Sequence, residues 1–552
     1  MVLRTSARRR FLRLLLPAAM ASLIPAGSSL SAAPQGCADS GGLAVVIAPD
    51  GFDVDLHSRL AKLIDETPGP PIEIDGPTPS GMFRLRVQAN DQCAGLLEKV
   101  RTIQSSAKKA GFAVVLVGND PSFTAKSEIK HSKSMKALAV GTKRFDDFGP
   151  EFELLGIQDA WRRTTGKPSI TIAILDSGLQ LDHPLLKDNI WHNITERKGT
   201  ANIDDDENGV VDDLDGANFA VESGPGIAYR NTDEEILRHG NDSAYIAAGM
   251  KSCSERCSGV AHDCTIMAVK FHKGATAQDF DLARAIEYAA ISGASIANLS
   301  VAVPVPPFAT KRAIDFAASK DMLIVVAAGD VTGDLQTQQH FPAAFSLEPA
   351  ALPNQMVVMS ARNDFSLWQT FSATGVHIAA PFKGRVPGDI NGAPDDASGS
   401  SISAPFVAGV AALVKSLNPG WWTYSRLKLH LIESGTHHTE LVGKNICGKR
   451  VHAAQAVLGP MSIKDWSADL VWNASENPRI EWSMTYVSAA CQEIVVEFKP
   501  ENSISLETIA TGTAQALGLA VDVTQLSGKR GHVRVRSLGS NFRTDWMPVT
   551  IS

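Results

Sequence analysis

The chain has 552 residues, of which 44% are hydrophobic and 20% are charged, and its formal net charge at pH 7 is −7. This length is enough for two to four domains with at least one large buried core. The small negative charge is spread over the whole chain, which argues against a partner recognised through its phosphates and therefore against nucleic acid.

The N-terminus predicts an export signal over residues 1–33. Arg8-Arg9-Arg10-Phe11-Leu12 precedes an apolar run from Leu14 to about Ile24, and small residues follow as far as Ala33. This is the order of a removable signal peptide, and its paired arginines are similar to a twin-arginine signal. The apolar run is too short to span a membrane, and no other run of about 18 apolar residues is evident. We therefore expect an exported product without a membrane span, either periplasmic or secreted.

The cysteines fit an exported protein, because an oxidising compartment permits disulfides. Their odd number leaves one thiol over. Three of them are close in sequence, and we expect a local disulfide there rather than a metal site, since a fourth ligand is lacking. The seven are Cys37, Cys93, Cys253, Cys257, Cys264, Cys447 and Cys491.

Residues 34–148 predict a small α/β domain followed by a linker. Strand-like runs cover Leu43 to Ile47 and Phe112 to Val117, and helix-like runs lie around 55–65 and 94–108. A lysine-rich stretch from Lys126 to Arg144 comes next and is typical of an exposed linker.

Residues 149–459 alternate between short apolar strands and helical patterns such as Phe280 to Ile291. Continuous apolar strands with helical crossovers indicate an α/β fold, with a parallel sheet covered by helices on both faces. The predicted strands are Ile170 to Leu175, Thr265 to Val269, Ile296 to Leu299, Leu323 to Ala328 and Met356 to Ser360. Residues 460–552 instead show alternating segments such as Glu493 to Phe498 and His532 to Val535, which predict a β-sandwich-like domain.

Three separate blocks carry residues with catalytic chemistry. Asp176 ends a predicted buried strand, at the edge where parallel sheets place their sites, although an Asp there is also a common turn cap. His239 precedes Gly240 at the start of a helical pattern, although a single His is more often a surface or core residue. Ser401 begins a helix of small residues, where helix-terminal amides favour an oxyanion, although a simple N-cap is the alternative.

The order Asp, His, Ser with wide separations is that of the subtilisin triad. The sequence resembles the subtilisin family (subtilases) as a divergent member over roughly 300 residues, from near Leu155 to near Val457. Several further blocks in the same order carry the resemblance. They are Gly259-Val260-Ala261, Ala268-Val269-Lys270, Ile296-Ala297-Asn298-Leu299-Ser300, Val325-Val326-Ala327-Ala328-Gly329, Phe341-Pro342-Ala343-Ala344 and Ala379-Ala380-Pro381.

The resemblance implies a subtilisin-like fold and a serine endopeptidase that needs no cofactor for catalysis. Ser401 would be the nucleophile, His239 the general base and Asp176 the carboxylate that orients it. A polypeptide substrate would lie as an extended strand beside Asn298 to Ala302 and Ala327 to Gly329. The expected contacts are Ser300, Val301, Ala302 and Gly329, and the methyl groups at positions 301–303 would narrow the pocket and favour small or slim apolar side chains.

One departure from the family bears on catalysis. Asp330 occupies the place of the asparagine that donates to the oxyanion, and an ionised carboxylate can only accept hydrogen bonds. Either a protonated Asp330 donates, or the chain is an impaired subtilase that binds peptides. Peptide cyclisation or ligation on the same fold is a third reading, which product mass would distinguish.

Two further expectations concern regulation and metal binding. By the resemblance, residues 34–148 are an intramolecular pro-domain, although a retained accessory domain is equally compatible. The acidic stretch from Asp204 to Asp215 spaces oxygens like a calcium loop, with a Gly where such loops turn, although a solvated acidic turn fits equally well. The predicted calcium ligands are Asp204, Asp206, Asn208 and Asp215.

Overall fold

The computed structural model describes most of the chain from Gly149 onward and several segments before it. The signal and linker predicted over 1–33 and 126–144 lie outside the described residues, as do Cys253 and Cys257. The described ranges are 44–47, 54–67, 72–76, 78–86, 99, 102–103, 106, 115–116, 122–124, 149–220, 226–229, 237–250, 258–273, 276–347, 351–362, 369–386, 395–458, 461–463, 470–476, 478–484, 493–501, 506–513, 518–537, 544 and 547–552.

The described residues of the N-terminal part include a small sheet, the helix α1, and helical residues at 99, 102, 103 and 106 within the second helix-like run predicted from the sequence. The sheet has the strand order β2-β3-β1-β4, and β1 pairs antiparallel with both neighbours. The predicted first strand and first helix are observed, and of the predicted strand over 112–117 the structure describes Val115 and Leu116, which form β4. The elements are β1 (Ala44–Ile47), α1 (Val54–Glu66), β2 (Glu73–Asp75), β3 (Met82–Arg86), β4 (Val115–Leu116) and β5 (Ser122–Thr124).

The central sheet has the strand order β18-β19-β15-β14-β13-β12-β6-β9-β7-β8. The interior pairs are parallel, as predicted, and the pairs β7–β8 and β18–β19 at its two edges are antiparallel. The strands from this part of the chain are β6 (Thr171–Asp176), β7 (Gly216–Asn218), β8 (Ile227–Ala228), β9 (Thr265–Lys270), β10 (His272–Lys273), β11 (Thr276–Gln278), β12 (Ile296–Leu299), β13 (Leu323–Ala327), β14 (Gln355–Ala361), β15 (Ile378–Pro381), β16 (Lys383–Val386), β17 (Asp395–Ser398), β18 (Thr436–His437) and β19 (Lys449–Arg450).

Helices cover both faces of this sheet. Ile172 and Ile174 of β6 pack into one hydrophobic core, and the intervening Ala173 packs into the other, which is the alternation of a strand buried on both sides. The α/β class predicted from the sequence is therefore confirmed. The helices are α2 (Pro150–Leu154), α3 (Ile157–Trp161), α4 (Ile194–Lys198), α5 (Leu237–Ala248), α6 (Asp279–Ile291), α7 (Phe308–Ser319), α8 (Ser400–Leu417), α9 (Tyr424–Ser434) and α10 (Ala453–Leu458).

Helix α8 is a long apolar segment that the sequence analysis did not expect. Within the described residues it alone is long and apolar enough to cross a membrane, and 94% of that window is packed inside the protein. Its residues belong to the first hydrophobic core, between the sheet and α5. The apolar character of α8 is accounted for by this burial.

Cys264 corrects the expectation of a local disulfide through that residue. It is a free, buried thiol whose Sγ lies 3.7 Å from Ser416 Oγ. Burial raises the pKa of Cys264 to about 11, so it behaves as a small core residue.

The C-terminal part is β-rich. Two sheets, ordered β20-β22-β25 and β21-β27-β26-β23-β24, contribute to one core that includes Ile480 and Val496. The predicted strands fall inside β23 and β26. The strands are β20 (Met461–Ile463), β21 (Val471–Trp472), β22 (Arg479–Met484), β23 (Glu493–Pro500), β24 (Glu507–Thr513), β25 (Gly518–Ala520), β26 (Arg530–Ser537) and β27 (Met547–Ile551).

Candidate active site

Asp176 is the last residue of β6 and lies at the carboxyl edge of the central sheet. Its side chain is 2% exposed. Oδ1 accepts a hydrogen bond from the Ser177 N–H at 2.7 Å, and Oδ2 accepts one from the Ser243 hydroxyl at 3.4 Å. The carboxylate is therefore buried but well supplied with donors, which keeps its charged form accessible.

His239 lies in the first turn of α5 and faces this carboxylate. Its Nδ1 is 2.7 Å from Asp176 Oδ1 and 2.8 Å from Oδ2. The following Gly240 permits the approach, because a Cβ at this position would lie 2.1 Å from the Gly178 carbonyl oxygen. The glycine after the histidine thus lets helix α5 pack directly on the turn that follows Asp176.

The surroundings of Asp176 and His239 favour the charged forms of both side chains. Burial on its own would lower the pKa of His239, but the Asp176 charge and hydrogen bond, followed by the charges of Asp242 and Asp330, raise it above its ordinary value. Burial on its own would raise the pKa of Asp176, but His239 and then His272 lower it. Among the described residues, His239 Nε2 is buried without a hydrogen-bond partner.

Ser401 is the second residue of α8. Its hydroxyl is buried and donates to the Ser300 carbonyl oxygen at 3.4 Å, while the Ser300 hydroxyl donates to the Ser401 carbonyl oxygen at 3.0 Å. The N–H groups of Ile402 and Ser403 bond to the Gly399 carbonyl. The Ser401 N–H precedes them, at a helix end where backbone donors lack intrahelical partners, so it is placed to receive an oxyanion.

The structure thus brings Asp176 and His239 into a hydrogen bond and holds Ser401 against Ser300. Within the described residues, no hydrogen bond joins Ser401 to His239. Long or unformed catalytic contacts are common before substrate binds. The catalytic roles of the three residues are therefore a proposal.

Asp330 lies just after β13 and contacts the turn before Ser401. Its Oδ1 accepts a hydrogen bond from the Ser400 N–H at 2.7 Å, and the Gly329 N–H donates to the Ser400 hydroxyl at 3.2 Å. Two hydrogen bonds therefore join the segment after β13 to the first residue of α8. In this arrangement the Asp330 oxygen is an acceptor that caps the helix.

The predicted substrate-binding residues have different surroundings. Gly329 is buried, and a Cβ there would be in ordinary van der Waals contact with Thr370 Oγ1 at 3.4 Å, the Ala302 Cβ at 3.5 Å and His340 Cδ2 at 3.6 Å. Val301 and Val303 belong instead to the second hydrophobic core, so the predicted narrowing by added methyl groups rests on Ala302. Ser300 is buried against Ser401.

His340 and Thr370 were not identified from the sequence as neighbours of Gly329. His340 directly precedes the block Phe341-Pro342-Ala343-Ala344, and two backbone hydrogen bonds of 2.8 Å join Phe341 to Val303. The position of His340 next to a block shared with the family is the signal that would have identified it. Thr370 has no comparable signal in the sequence.

Three of the four predicted calcium ligands lie together, because the Asn208 N–H donates to Asp204 Oδ1 at 3.1 Å and to Asp206 Oδ1 at 3.3 Å. Asp215 lies apart, paired with Arg197 at 2.5 Å and with His192 at 2.7 Å. Among the described residues, the carboxylates whose oxygens lie within 4.8 Å of one another are those of Glu196, Asp206 and Asp213.

The oxygens of this acidic turn act as hydrogen-bond acceptors. Asp204 accepts from the N–H groups of Asn208 and Gly209, at 3.1 and 2.7 Å. Glu196 accepts from those of Asp205, Asp206 and Asp212, at 2.6, 3.2 and 2.9 Å. Gly209, with φ of 90°, provides the predicted sharp turn. These hydrogen bonds hold the acidic turn in its folded form.

Several known proteins are similar to this chain. The model of the subtilase family matches residues 167–449. Subtilisin-like protease 1 of Plasmodium berghei (strain Anka) is 24% identical over 339 residues, covering 57% of this chain and 55% of its own. The halolysin-like extracellular serine protease Nep of Natrialba magadii is 27% identical over 266 residues, covering 48% of this chain and 43% of its own. The chain thus spans about half the length of these curated relatives.

A solved structure supports the same fold. Fervidolysin of Fervidobacterium pennivorans, described as a keratinolytic enzyme related to subtilisin, superposes with a TM-score of 0.51 at 16% identity, over 92% of this chain and 73% of its own. The family match covers more than half of the sequence and includes Asp176, His239 and Ser401. The chain belongs to the subtilase family.

Proposed function

We propose that this protein is a serine endopeptidase that hydrolyses peptide bonds through an acyl-enzyme on Ser401. The observation that carries the proposal is the buried pair of Asp176 and His239, with Nδ1 bonded to the carboxylate and Nε2 left without a partner among the described residues. An Nδ1–H donated to a carboxylate fixes the tautomer in which Nε2 carries the lone pair.

The chemistry follows from this arrangement. His239 Nε2 accepts the Ser401 proton as the hydroxyl oxygen attacks the peptide carbonyl, and Asp176 stabilises the imidazolium that forms. The Ser401 N–H donates a hydrogen bond to the carbonyl oxygen as negative charge develops on that oxygen. His239 then donates the proton to the leaving amine, and water hydrolyses the acyl-enzyme by the reverse steps. All of these groups belong to the chain, so the reaction as proposed needs no cofactor.

The proposal is tested by labelling with a fluorophosphonate from about pH 4 to about pH 9, with the site located by mass spectrometry. We expect one adduct on Ser401, and peptide cleavage that is lost in Ser401→Ala and His239→Ala. The fluorophosphonate adds to an activated serine independently of peptide binding. An unlabelled Ser401 in a folded protein that cleaves no peptide would overturn the proposal.

The competing function is a catalytically impaired subtilase that binds peptides. Its support is the hydrogen bond from the Ser400 N–H to Asp330 Oδ1, which stabilises an ionised carboxylate, and an ionised carboxylate supplies no donor to the oxyanion. Measurable affinity for extended peptides, without labelling of Ser401, would favour this function over hydrolysis.

We also propose that residues 34–148 form an intramolecular pro-domain. Its support is the contact with α6: Arg84 Nη1 lies 3.1 Å from Asp281 Oδ1, and the Ser80 N–H and hydroxyl donate to Glu287 at 3.0 and 2.6 Å. In addition, β5 pairs antiparallel with β11. We expect the purified protein to begin between 125 and 148, and Ser401→Ala to keep the N-terminal part. An uncut wild-type chain that cleaves added peptides would indicate a retained accessory domain instead.

Export completes the proposal. It is supported by the signal-like residues 1–33 and by the extracellular description of the Natrialba relative. We expect a reporter fused after Ala33 to be exported, and replacement of Arg8, Arg9 and Arg10 by Gln to retain it in the cytoplasm. A reporter that stays inside the cell with the intact signal would contradict export.

A further inference from the structure

A second histidine lies beside the catalytic carboxylate. His272 Nε2 is 3.9 Å from Asp176 Oδ1, the oxygen that His239 Nδ1 contacts at 2.7 Å. The His272 side chain is 4% exposed. One buried carboxylate is therefore flanked by two imidazoles, in surroundings where water screens charge poorly.

The fold places His272 at this point through the strand register. In the parallel pair β6–β9, Asp176 is opposite Lys270, and the Phe271 N–H donates to the Asp176 carbonyl at 3.2 Å. The chain then enters the hairpin β10–β11, in which His272 pairs with Ala277. The Phe271 ring packs edge-on against His272, with ring centroids 4.9 Å apart. Position 272 is therefore fixed by backbone bonds and by ring packing.

We propose that His272 is a positioning residue for Asp176. It interacts with the same carboxylate as His239, and Asp176 therefore stabilises the protonated form of His239 less strongly. This inference rests on the proposed peptidase function. A charge on His272 lowers the pKa of Asp176, after burial and the effects of His239. A carboxylate that interacts with two cations stabilises each of them less than it would stabilise one alone.

Other charged groups around Asp176 and His239 also affect the pKa of His239. Asp242, one turn further along α5, and Asp330, which follows β13, both raise the pKa of His239. Lys270 is the buried cation at the end of β9. The role we propose for His272 is to oppose the combined effect of Asp176, Asp242 and Asp330 on the general base.

The test replaces His272 and follows the pH dependence of catalysis. In the full chain, His272→Gln is expected to move the acid limb of kcat/KM to higher pH by about half a unit or more, because Asp176 then acts on His239 alone. We expect KM to change less than about twofold, since His272 contacts the carboxylate rather than the substrate. His262→Gln is the matched control, because His262 is also buried but packs against Trp161, and it is expected to leave the limb unmoved.

A second measurement reads His239 without catalysis. The Nδ1–H resonance of His239 is followed against pH by NMR in Ser401→Ala, with and without His272→Gln, and we expect its midpoint to rise by the same amount. If His272→Gln does not fold, His272→Phe keeps the ring packing on Phe271 and removes the charge. An unchanged midpoint in a folded variant, with or without a loss of thermal stability, would overturn the inference. If the wild type neither labels nor cleaves, the peptidase proposal fails, and the NMR titration still decides the role of His272.

Discussion

Asp330 Oδ1 accepts the Ser400 N–H at 2.7 Å, so the side chain that replaces the expected oxyanion donor caps the helix that carries Ser401. A negative charge at a helix N-terminus is favourable in itself. The same charge raises the pKa of His239 and opposes the development of an oxyanion. Asp330 therefore supports the position of the nucleophile and disfavours the transition state.

Asp330→Asn is expected to increase kcat near neutral pH by about tenfold or more. An asparagine Oδ1 can keep the bond to the Ser400 N–H, while its Nδ2 supplies an oxyanion donor whose loss costs related enzymes on the order of 100- to 1000-fold. The measurement is steady-state peptide hydrolysis, with Asp330→Ala as the control that loses both cap and donor. A purified, folded Asp330→Asn protein that turns over more slowly than wild type would refute this account.

The acid limb of kcat/KM is expected to have its midpoint above pH 6.5. Burial lowers the pKa of His239, but Asp176, Asp242 and Asp330 raise it on balance above 6.5, and only the neutral imidazole can accept the Ser401 proton. The measurement is a pH profile of kcat/KM with a peptide substrate. A midpoint at or below pH 6.5 would contradict the charge arrangement described for the site.

The same pair makes a prediction for stability. The folded pKa of His239 is raised, so its contribution is full below pH 6.5 and is lost as the pH rises through the folded value. The folded pKa of Asp176 is lowered, so its contribution is present above pH 3.8 and is lost as the pH falls through the folded value. Thermal unfolding of Ser401→Ala, compared with Ser401→Ala/His239→Gln, should therefore show the largest difference between these limits. A difference that grows above neutral pH would be inconsistent with the pair.

Arg84→Ala is expected to destabilise the contact between the N-terminal part and the catalytic domain. The Arg84 side chain is fully buried and pairs with Asp75 at 2.9 Å and Asp281 at 3.1 Å, and removing one partner of a buried pair typically costs about 3 kcal/mol or more. Thermal unfolding of the uncut Ser401→Ala chain measures the loss. Lys62→Ala is the matched control, since the Lys62–Glu66 pair is exposed and is worth less than about 1 kcal/mol. Equal effects of the two substitutions would argue against a buried ionic interface.

The acidic turn is expected to be insensitive to chelators. Its oxygens already accept backbone N–H groups, three of them on Glu196, so EDTA should leave the unfolding temperature unchanged. Glu196→Gln should lower stability by about 1 to 3 kcal/mol, because it removes charge-assisted hydrogen bonds from a buried side chain. A stabilisation of several degrees by added calcium would show that the turn binds the metal after all.

The sequence by itself determined the elements and the types of chemistry at their ends. Buried strands are encoded by continuous apolar runs and tight helix starts by small residues, so β6, α5 and α8 could be predicted with Asp176, His239 and Ser401 at their termini. These signals are local, which is why they can be read without coordinates.

Tertiary structure alone decided what each side chain contacts. The sequence predicts Asp330 only as a residue beside the oxyanion, and the packing of β13 against the start of α8 placed its Oδ1 on the Ser400 N–H. It also paired Asp215 with Arg197, and it brought His272 to Asp176 through the register of β9. Such contacts depend on distances of a few ångströms between segments far apart in the chain, and a pattern of residue types does not specify distances of this kind.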